Sequence, residues 1–590
     1  MDTVTLTIDG HALTVKKGTT VLQAALDAGI DVPFYCYHPA LGVEGSCRVC
    51  IVRVEKMPKL QTACSTECAE GMVVDTRSPE VVAARASVFE FLLLNHPLDC
   101  PVCDKGGECP LQDYSNDYGP AASRMDFPRR VFDGEGVRGD VDFGPTLMLN
   151  RNRCILCTRC VRFMRIVDGD AQISIQDRGN GSQIETFQEE GVHSILSGNL
   201  ADVCPVGAIT TRDYRFQSRP WVNATAVDTI CTRCSKGCSV MVWLRAKPEW
   251  AKGPRIVRLT PRFNLDVNEY WMCDIGRFDY HAVEGDDRLQ RPLARDGSGA
   301  LQPASWHDLL VQLRAALGST NDGLRGRLRF LASAHASLEE LALLARLARG
   351  IHGEGGEERI ALGWTATPKT QPARTKFVVP PVDAPNVAGA RDLGLRVVAA
   401  ADGAADLSAL RSAVEAGEAP AVYVLDPGPA GSLGDLSWLV EARRSGRVRL
   451  LAVQGILMTG LARAADFVLP GASAFEKDAC FTNDKGIVQA AARAVAPQGD
   501  AMEDWQVLVN VAVALGVPLT CTSTAQVRAE IAAALAGNPA YAGLPQVQFA
   551  RPAVRRSILQ VSNPSERRKW EQLYKDLPPV KFAGGSGPAS

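Results

Sequence analysis

Hydrophobic and polar residues alternate through residues 3–16, which include the segment VTLTIDGHALTV with Asp9-Gly10 at its centre. Alternating runs around an Asp-Gly pair predict a β-hairpin with a tight turn. Thr19 and Thr20 suit the N-cap of a helix in TVLQAALDAG, and Gly29 suits its end. The pattern therefore predicts that the chain opens with a hairpin followed by a short helix.

Residues 280–545 show a different pattern, in which helical Ala/Leu/Arg stretches alternate with short apolar runs. These runs include RLRFLAS, AVYVLD and RLLAVQ, and each has a turn or a helix after it. This alternation predicts an α/β layered domain. The longest apolar stretch, VLVNVAVALGVPL near 507–519, falls short of the roughly 20 residues that a membrane-spanning helix needs. We interpret it as a buried helix.

Length and composition narrow the class of protein. With 590 residues the chain is too long for one hydrophobic core, so we expect about three to five domains. The formal net charge of -2 gives no indication of nucleic-acid or membrane-surface binding. The start, MDTVTLTIDGHALTV, lacks the basic-then-apolar order of a secretory signal. We therefore expect any membrane connection to run through partner subunits.

The cysteines are concentrated in one part of the chain. Sixteen of the 18 fall in residues 36–273, and Cys480 and Cys521 follow in the remaining half. A disulfide framework is unexpected in a large chain without an export signal, and tight Cys-x-x-Cys groups in that context indicate metal sites.

The first group follows the predicted hairpin and helix, as Cys36-YHPALGVEGS-Cys47-RV-Cys50. Gly42 and Gly45 allow the loop to turn closely around inorganic sulfide. A fourth thiolate comes from Cys64 or Cys68, and four thiolates suit a 2Fe–2S cluster or a structural zinc ion. The arrangement resembles the β-grasp of plant-type ferredoxins.

The second group is His96-PLD-Cys100-PV-Cys103-DKGGE-Cys109, after an apolar helix around VFEFLLLN. Three cysteines leave one coordination position of a 4Fe–4S cluster empty, and His96 is near enough in sequence to fill it. Imidazole is neutral where thiolate is anionic, so this ligand should raise the cluster's potential.

The third group is Cys154-IL-Cys157-TR-Cys160, with Cys204-Pro205 arriving later. Two-cluster ferredoxins use two C-x2-C-x2-C-x3-C-P runs, each lending its last cysteine to the other cluster. Here Met164, Ser194, Ser197 and Leu200 stand where the other four cysteines would be. We therefore predict one remaining 4Fe–4S cluster and one that has been lost.

The fourth group is Cys231-TR-Cys234-SKG-Cys238, completed by Cys273 in WMCDIGRFDY. It resembles the 4Fe–4S domain at the start of molybdopterin oxidoreductases, with a zinc ribbon as the competing interpretation.

The segment from FVLPGASAFEKDACFTNDKG onward resembles the late signature of the same enzymes, with Cys480 near where relatives usually have Gly. No cysteine lies between Cys273 and Cys480, so a thiolate ligand for molybdenum is missing there, and a serine is the ligand that counting leaves open. We expect a shortened scaffold without molybdopterin that packs against partners.

Taken together, the motifs resemble the large multi-cluster iron–sulfur subunits of respiratory NADH:quinone oxidoreductase (complex I). The segment NHPLDCPVCDKGGECPLQD is similar to a motif shared by complex I and iron-only hydrogenases, and the loss of one ferredoxin cluster is typical of complex I. The family's Ala-Cys-Ser/Ala-Thr pattern favours Cys64 over Cys68. The resemblance implies one 2Fe–2S and three 4Fe–4S clusters in a multidomain α+β and α/β chain.

The implied domains are a 2Fe–2S ferredoxin-type domain (1–80), a histidine-ligated 4Fe–4S domain (81–120), a 4Fe–4S ferredoxin-like domain (121–222), a molybdopterin-oxidoreductase-type 4Fe–4S domain (223–280), a degenerate molybdopterin-oxidoreductase-like domain (281–550) and a polar tail (551–590) with a mobile end.

The resemblance also implies a function. Electrons from NADH would enter through a neighbouring flavin subunit, because no G-x-G-x-x-G or Walker motif occurs here in a suitable context. They would pass the 2Fe–2S cluster, the cluster of Cys154–Cys204 and the His96 cluster toward the quinone-site subunits, with the cluster of Cys231–Cys273 off the path. The expected place is the cytoplasmic side of the inner (plasma) membrane, held by other peripheral-arm subunits and only indirectly by the membrane arm. The alternatives are a relay subunit of an NAD-linked hydrogenase or formate dehydrogenase, a molybdenum oxidoreductase and a zinc-stapled scaffold.

Overall fold

A computed structural model describes residues 2–132, 139–223, 225–245, 253–318 and 323–554. The predicted tail of 551–590 thus lies almost entirely outside the described residues. The described chain forms two compact units. The first contains the residues up to Asn223 together with Pro372–Lys376, and the second contains Thr225–Gln371 and Phe377–Ala553.

The first unit begins with the predicted hairpin and helix. Asp9 and Gly10 both have positive φ, at 49° and 82°, which matches the tight turn that a twisted hairpin favours. The Thr20 hydroxyl caps the helix by accepting a hydrogen bond from the Gln23 N–H at 3.2 Å. The sheet has the order β2-β1-β5-β3-β4. Its elements are β1 (Thr3–Ile8), β2 (His11–Lys16), α1 (Val21–Asp27), β3 (Ile51–Val54), β4 (Gln61–Thr62) and β5 (Met72–Asp75).

The rest of the first unit consists of short elements that present loops. Within it, β7 pairs antiparallel with β6 and β10, and β8 pairs with β9. A π-helical turn, Met164–Asp168, follows α4 directly. The elements are α2 (Pro79–Leu93), α3 (Pro110–Tyr118), β6 (Asp140–Asp142), β7 (Leu147–Asn150), α4 (Arg159–Phe163), β8 (Ile173–Gln176), β9 (Gln183–Thr186), α5 (Asn199–Val203) and β10 (Ile209–Thr211).

The second unit starts with an antiparallel sheet in which β12 lies between β11 and β13. The strands β11 and β12 are almost entirely buried, and β12 is correspondingly apolar after its first residue. A short helix, α6, follows this sheet. The elements are β11 (Thr225–Ile230), β12 (Ser239–Leu244), β13 (Ile256–Pro261) and α6 (Asp274–Phe278).

A seven-stranded sheet of order β15-β14-β20-β19-β18-β16-β17 forms the body of the second unit. Strands β17, β16, β18, β19 and β20 are parallel, and β14 and β15 add antiparallel strands at one edge. Apolar cores cover both faces of this sheet. The three apolar runs singled out in the sequence form β16, β18 and β19, which confirms the predicted α/β layering.

The remaining elements belong to the second unit, apart from Val554 at the end of the last strand. The predicted buried helix near 507–519 is observed as α13, which ends at Ala514. The elements are β14 (Leu293–Arg295), β15 (Leu301–Pro303), α7 (Trp306–Leu317), β16 (Leu328–Ser333), α8 (Leu338–His352), β17 (Ile360–Gly363), α9 (Val387–Asp392), α10 (Ser408–Glu415), β18 (Ala421–Asp426), α11 (Ser437–Arg444), β19 (Leu450–Gly455), α12 (Gly460–Ala464), β20 (Phe467–Pro470), β21 (Ala479–Thr482), β22 (Val488–Ala491), α13 (Asp504–Ala514), α14 (Thr524–Ala534) and β23 (Ala553–Val554).

Candidate iron–sulfur sites

The structure brings the four cysteines of the first group together between the loop after α1 and the turn after β4. Hydrogen bonds from the thiols of Cys47 and Cys64 lower the pKa of Cys36, and a hydrogen bond with Cys64 lowers that of Cys50. By contrast, burial alone raises the pKa of Cys68, whose N–H donates to the Thr19 carbonyl at 2.8 Å. The thiol contacts thus join Cys64, and not Cys68, to the other three.

The second group lines one cavity of about 150 Å³, to which His96, Cys100, Cys103 and Cys109 all contribute. Burial, followed by the charge of Arg153, lowers the pKa of His96 to about 4. The imidazole is therefore neutral at pH 7, which is the form that binds metals. Its Nδ1 is buried and has no hydrogen-bond partner among the described residues, so it is free to act as a ligand.

Gly207 leaves space at the second site for the sulfur of Cys103, one of the predicted cluster ligands. A Cβ built on Gly207 would overlap the Cys103 sulfur, much closer than any real contact. Any side chain at position 207 would therefore displace the Cys103 sulfur from the cavity. The residues of this site are therefore compatible with the 4Fe–4S cluster that the sequence predicts.

The third group gathers at the start of α4 and the end of α5. Burial raises the pKa values of Cys154 and Cys157 to about 12 and about 11, and each is raised further by the charge of Cys204. The Leu156 N–H donates to the Cys154 sulfur at 3.4 Å, an interaction typical of cluster-binding loops. Leu156 and Thr158 have positive φ, which curls the loop around the thiols.

The positions of the four absent ferredoxin cysteines are occupied by packed side chains. Met164 and Leu200 are fully buried, and Ser197 is only 1% exposed. The Ser194 hydroxyl donates to the carboxylate of Asp168. This packing is consistent with the loss of the second cluster.

The third group lies against both of the others. Arg162 donates to the carbonyl oxygen of Cys36, and the Cys36 thiol is close enough to Cys157 to raise its pKa. On the other side, the Cys109 sulfur lies 3.8 Å from the carbonyl oxygen of Pro205, the residue after Cys204. The first and second groups are also linked, because Tyr35 donates to the Pro110 carbonyl at 3.3 Å. The first unit thus contains three thiol groups in close succession.

The fourth group lies in the second unit, at the tip of the β11–β12 hairpin. The Cys231 N–H donates to the Cys238 carbonyl at 2.8 Å, closing the loop that carries Cys234. Burial raises the pKa values of all four cysteines, including Cys273 at the N-terminus of α6. A Cβ on Gly276 would lie 2.6 Å from the Cys231 sulfur, so this site too depends on a glycine.

The body of the second unit contains a buried charge network that the sequence did not reveal. Lys477 is 2% exposed and binds Glu340 at 2.6 Å and Asp504 at 2.8 Å. Arg288 and Glu476 form a second fully buried pair at 2.7 Å. Cys480 is buried in β21, and its N–H donates to Glu339 at 3.0 Å. These contacts indicate a structural role for this region.

Two further observations concern the described part of the chain as a whole. No three His, Cys, Asp or Glu side chains there converge on one point as ligands of a single metal ion would. An iron–sulfur cluster does not need such convergence, because each iron of a 4Fe–4S cluster takes one protein ligand. In the same residues, every helix is too short or too polar to span a bilayer.

Family comparisons match successive parts of the chain. The 2Fe–2S iron-sulfur cluster binding domain matches residues 1–79, and the NADH-ubiquinone oxidoreductase-G iron-sulfur binding region matches 85–124. The ferredoxin-like domain of NADH-quinone oxidoreductase subunit 3 matches 144–210. The molybdopterin oxidoreductase Fe4S4 domain matches 224–285, and the molybdopterin oxidoreductase family matches 387–514. The predicted fold class and the presence of 2Fe–2S and 4Fe–4S domains are therefore confirmed.

Curated relatives give the same result. The chain is 40% identical over 351 residues to a subunit of NADH-quinone oxidoreductase from Streptomyces coelicolor, covering 59% of this chain and 40% of the relative. It is 39% identical over 353 residues to the mitochondrial NADH-ubiquinone oxidoreductase 78 kDa subunit of Candida albicans, covering 60% and 47%. The chain thus spans less than half the length of these relatives. The resemblance inferred from the cysteine motifs is confirmed.

A solved structure of an NAD+-reducing NiFe-hydrogenase in the H2-reduced state is 32% identical to this chain. The match covers 36% of this chain and 90% of the other, with a TM-score of 0.32. That score is too low to support a structural argument.

Proposed function

We propose that this chain, a homologue of iron–sulfur subunits of NADH-quinone oxidoreductase, is an electron-relay subunit of such a complex. It would receive electrons from an NADH- and flavin-binding subunit and pass them toward a quinone site. The observation that carries the proposal is the close succession of three thiol groups in the first unit, with Arg162 against Cys36 and Cys109 against Pro205. Short gaps between buried redox centres are what a relay requires.

Four ligand sets follow from the proposal. One 2Fe–2S cluster would be held by Cys36, Cys47, Cys50 and Cys64. Three 4Fe–4S clusters would be held by His96, Cys100, Cys103 and Cys109, by Cys154, Cys157, Cys160 and Cys204, and by Cys231, Cys234, Cys238 and Cys273. The domain boundaries given by the sequence, with no molybdopterin in residues 281–550, belong to the same proposal.

The chain's own residues would supply burial, hydrogen bonds and charge, whereas the clusters supply one-electron chemistry when bound. Buried thiols such as Cys157 and Cys160 keep solvent from the sites, and backbone donors such as the Leu156 N–H stabilise negative sulfur. Neutral His96 reduces the negative charge of its site. The contact between Cys109 and Pro205 brings the third and second groups next to each other.

The proposed partners are the flavin/NADH-binding subunit and other peripheral-arm subunits, with the membrane arm reached through them and no nucleic acid involved. The proposed location is the cytoplasmic side of the inner (plasma) membrane. The relatives are named as NADH-quinone or NADH-ubiquinone oxidoreductase subunits, which favours this assignment over a relay in an NAD-linked hydrogenase or formate dehydrogenase.

The test is the content of iron, labile sulfide, zinc and molybdenum in anaerobically purified protein, with low-temperature EPR of the reduced state. One 2Fe–2S and three 4Fe–4S clusters require about 14 irons. We expect that figure with distinct two-iron and four-iron signals. Zinc without sulfide would instead indicate the zinc-stapled scaffold, and stoichiometric molybdenum would indicate a catalytic second unit.

A further inference from the structure

Arg159 lies between the first and third thiol groups. It is the first residue of α4, between Cys157 and Cys160, and only 2% of it is exposed. Its Nη2 donates to the Tyr37 carbonyl at 2.6 Å, next to Cys36. Its Nη1 donates to the Val203 carbonyl at 3.4 Å, next to Cys204. One guanidinium thus holds the backbone beside a predicted ligand of each site.

The charge of Arg159 also faces thiols of both groups. Burial lowers the pKa of its guanidinium, whereas the charges of Cys157, Cys47 and Cys36 raise it. Its neighbour Arg162 is placed differently. That side chain donates to the Leu41 and Gly42 carbonyls and lies 3.6 Å from the carboxylate of Glu44. Both of these side-chain hydrogen bonds of Arg159 go to neutral carbonyl oxygens, whereas Arg162 has a carboxylate beside it in addition to its carbonyl partners.

A buried positive charge beside a redox centre favours its reduced form, because reduction adds negative charge. The effect is strong where little water screens it. We propose that Arg159 is a positioning and charge-tuning residue shared by two clusters. It fixes the separation of the 2Fe–2S site and the Cys154–Cys204 site, and its charge raises the reduction potential of both. This inference rests on the proposed electron-relay function.

The test compares Arg159→Gln, Arg159→Lys and the wild type as full chains in their complex, purified anaerobically. Redox titrations followed by EPR give the potential of each signal. We expect both potentials to fall in Arg159→Gln and to stay near the wild-type values in Arg159→Lys, which keeps the charge. Arg165→Gln is the matched control, because Arg165 lies on the following turn and is exposed. It should change neither potential.

The outcomes separate this inference from the proposed function. If the wild type lacks the two-iron and four-iron signals, the proposed function fails before any variant is measured. If the signals are present, unchanged potentials in Arg159→Gln, or a fall in one alone, overturn the inference. Should Arg159→Gln not retain its iron, Arg159→Lys decides: wild-type potentials support the role of the charge, and a fall in either contradicts it.

Discussion

His96 is the predicted ligand that differs in charge from the other 15. It lies after α2, half-buried and neutral, in the cavity that also contains Cys100, Cys103 and Cys109. A neutral ligand leaves its cluster one negative charge fewer than four thiolates would, which makes reduction easier. If His96 is the fourth ligand as proposed, we expect its neutral imidazole to raise the reduction potential of this site.

Replacing His96 with Cys tests this argument directly. His96→Cys should keep the cluster and lower its potential, because a thiolate adds negative charge to the site. The measurement is an EPR-monitored redox titration of the corresponding four-iron signal. The exposed His193→Cys substitution in the same unit is the control and should leave the signal unchanged. A titration of His96→Cys identical to the wild type would count against His96 as a ligand.

Gly207 offers a second test at the residue scale, since its added Cβ would overlap the Cys103 sulfur. In Gly207→Ala, the thiol must turn away or the loop must shift. We expect iron content to fall by up to about four per chain, the full occupancy of one 4Fe–4S cluster, with loss of the His96-site signal. Gly181→Ala is the control, because its added Cβ would meet nothing closer than 3.6 Å. Full iron content in Gly207→Ala would contradict the proposed packing.

At the scale of elements, only some of the described helices of the second unit are capped by a side chain, and α8 has the fullest cap. Ser337 begins α8 with a capping box: its hydroxyl accepts from the Glu340 N–H, and the Glu340 carboxylate accepts from the Ser337 N–H. Both bonds are buried, so water cannot replace them. The same Glu340 binds Lys477, which links the cap to the buried charge network.

Ser337→Ala should therefore loosen α8. We expect the free energy of local opening to fall by about 1–2 kcal/mol, the usual cost of losing a capping hydroxyl. Hydrogen exchange of the amides in Leu338–His352 measures this change. Ser412→Ala in the exposed face of α10 removes a hydroxyl without a capping role and serves as the control. Equal protection of α8 in the wild type and Ser337→Ala would show that the cap contributes little.

The elements also show which parts of the fold could be predicted from sequence. Local signals were sufficient for the Asp9-Gly10 hairpin and for the apolar runs of β16 and β18, because neighbouring residues specify them. The roles of Arg159 and Lys477 were not predictable in that way. Their partners, such as Tyr37 and Asp504, lie elsewhere in the chain, and a charged residue in a sequence carries no sign that it will be buried. The Cys-x-x-Cys spacing predicted the ligands, which stay a prediction until metal is measured.

At the scale of the whole molecule, the proposed sites divide unequally between the two units. Cys231, Cys234, Cys238 and Cys273 belong to the second unit, and the other predicted ligands belong to the first. The first unit has its own hydrophobic core and its own loops around the thiols. This division predicts that the fourth cluster can be lost independently.

Cys231→Ser should remove or strongly weaken the fourth cluster. The Cys231 sulfur packs against Gly276, and a serine oxygen is a poor substitute for a thiolate that binds iron. We expect iron to fall from about 14 to about 10 per chain, while the two-iron signal and the two four-iron signals of the first unit keep their potentials.

Cys521→Ser is the matched control, since Cys521 is also buried in the second unit but donates to the Ser523 carbonyl and belongs to none of the four groups. If Cys231→Ser also abolished the signals of the first unit, the two units would not bind their clusters independently. If it left the iron content unchanged, the fourth site would not be a cluster site, and its thiols would serve the fold alone.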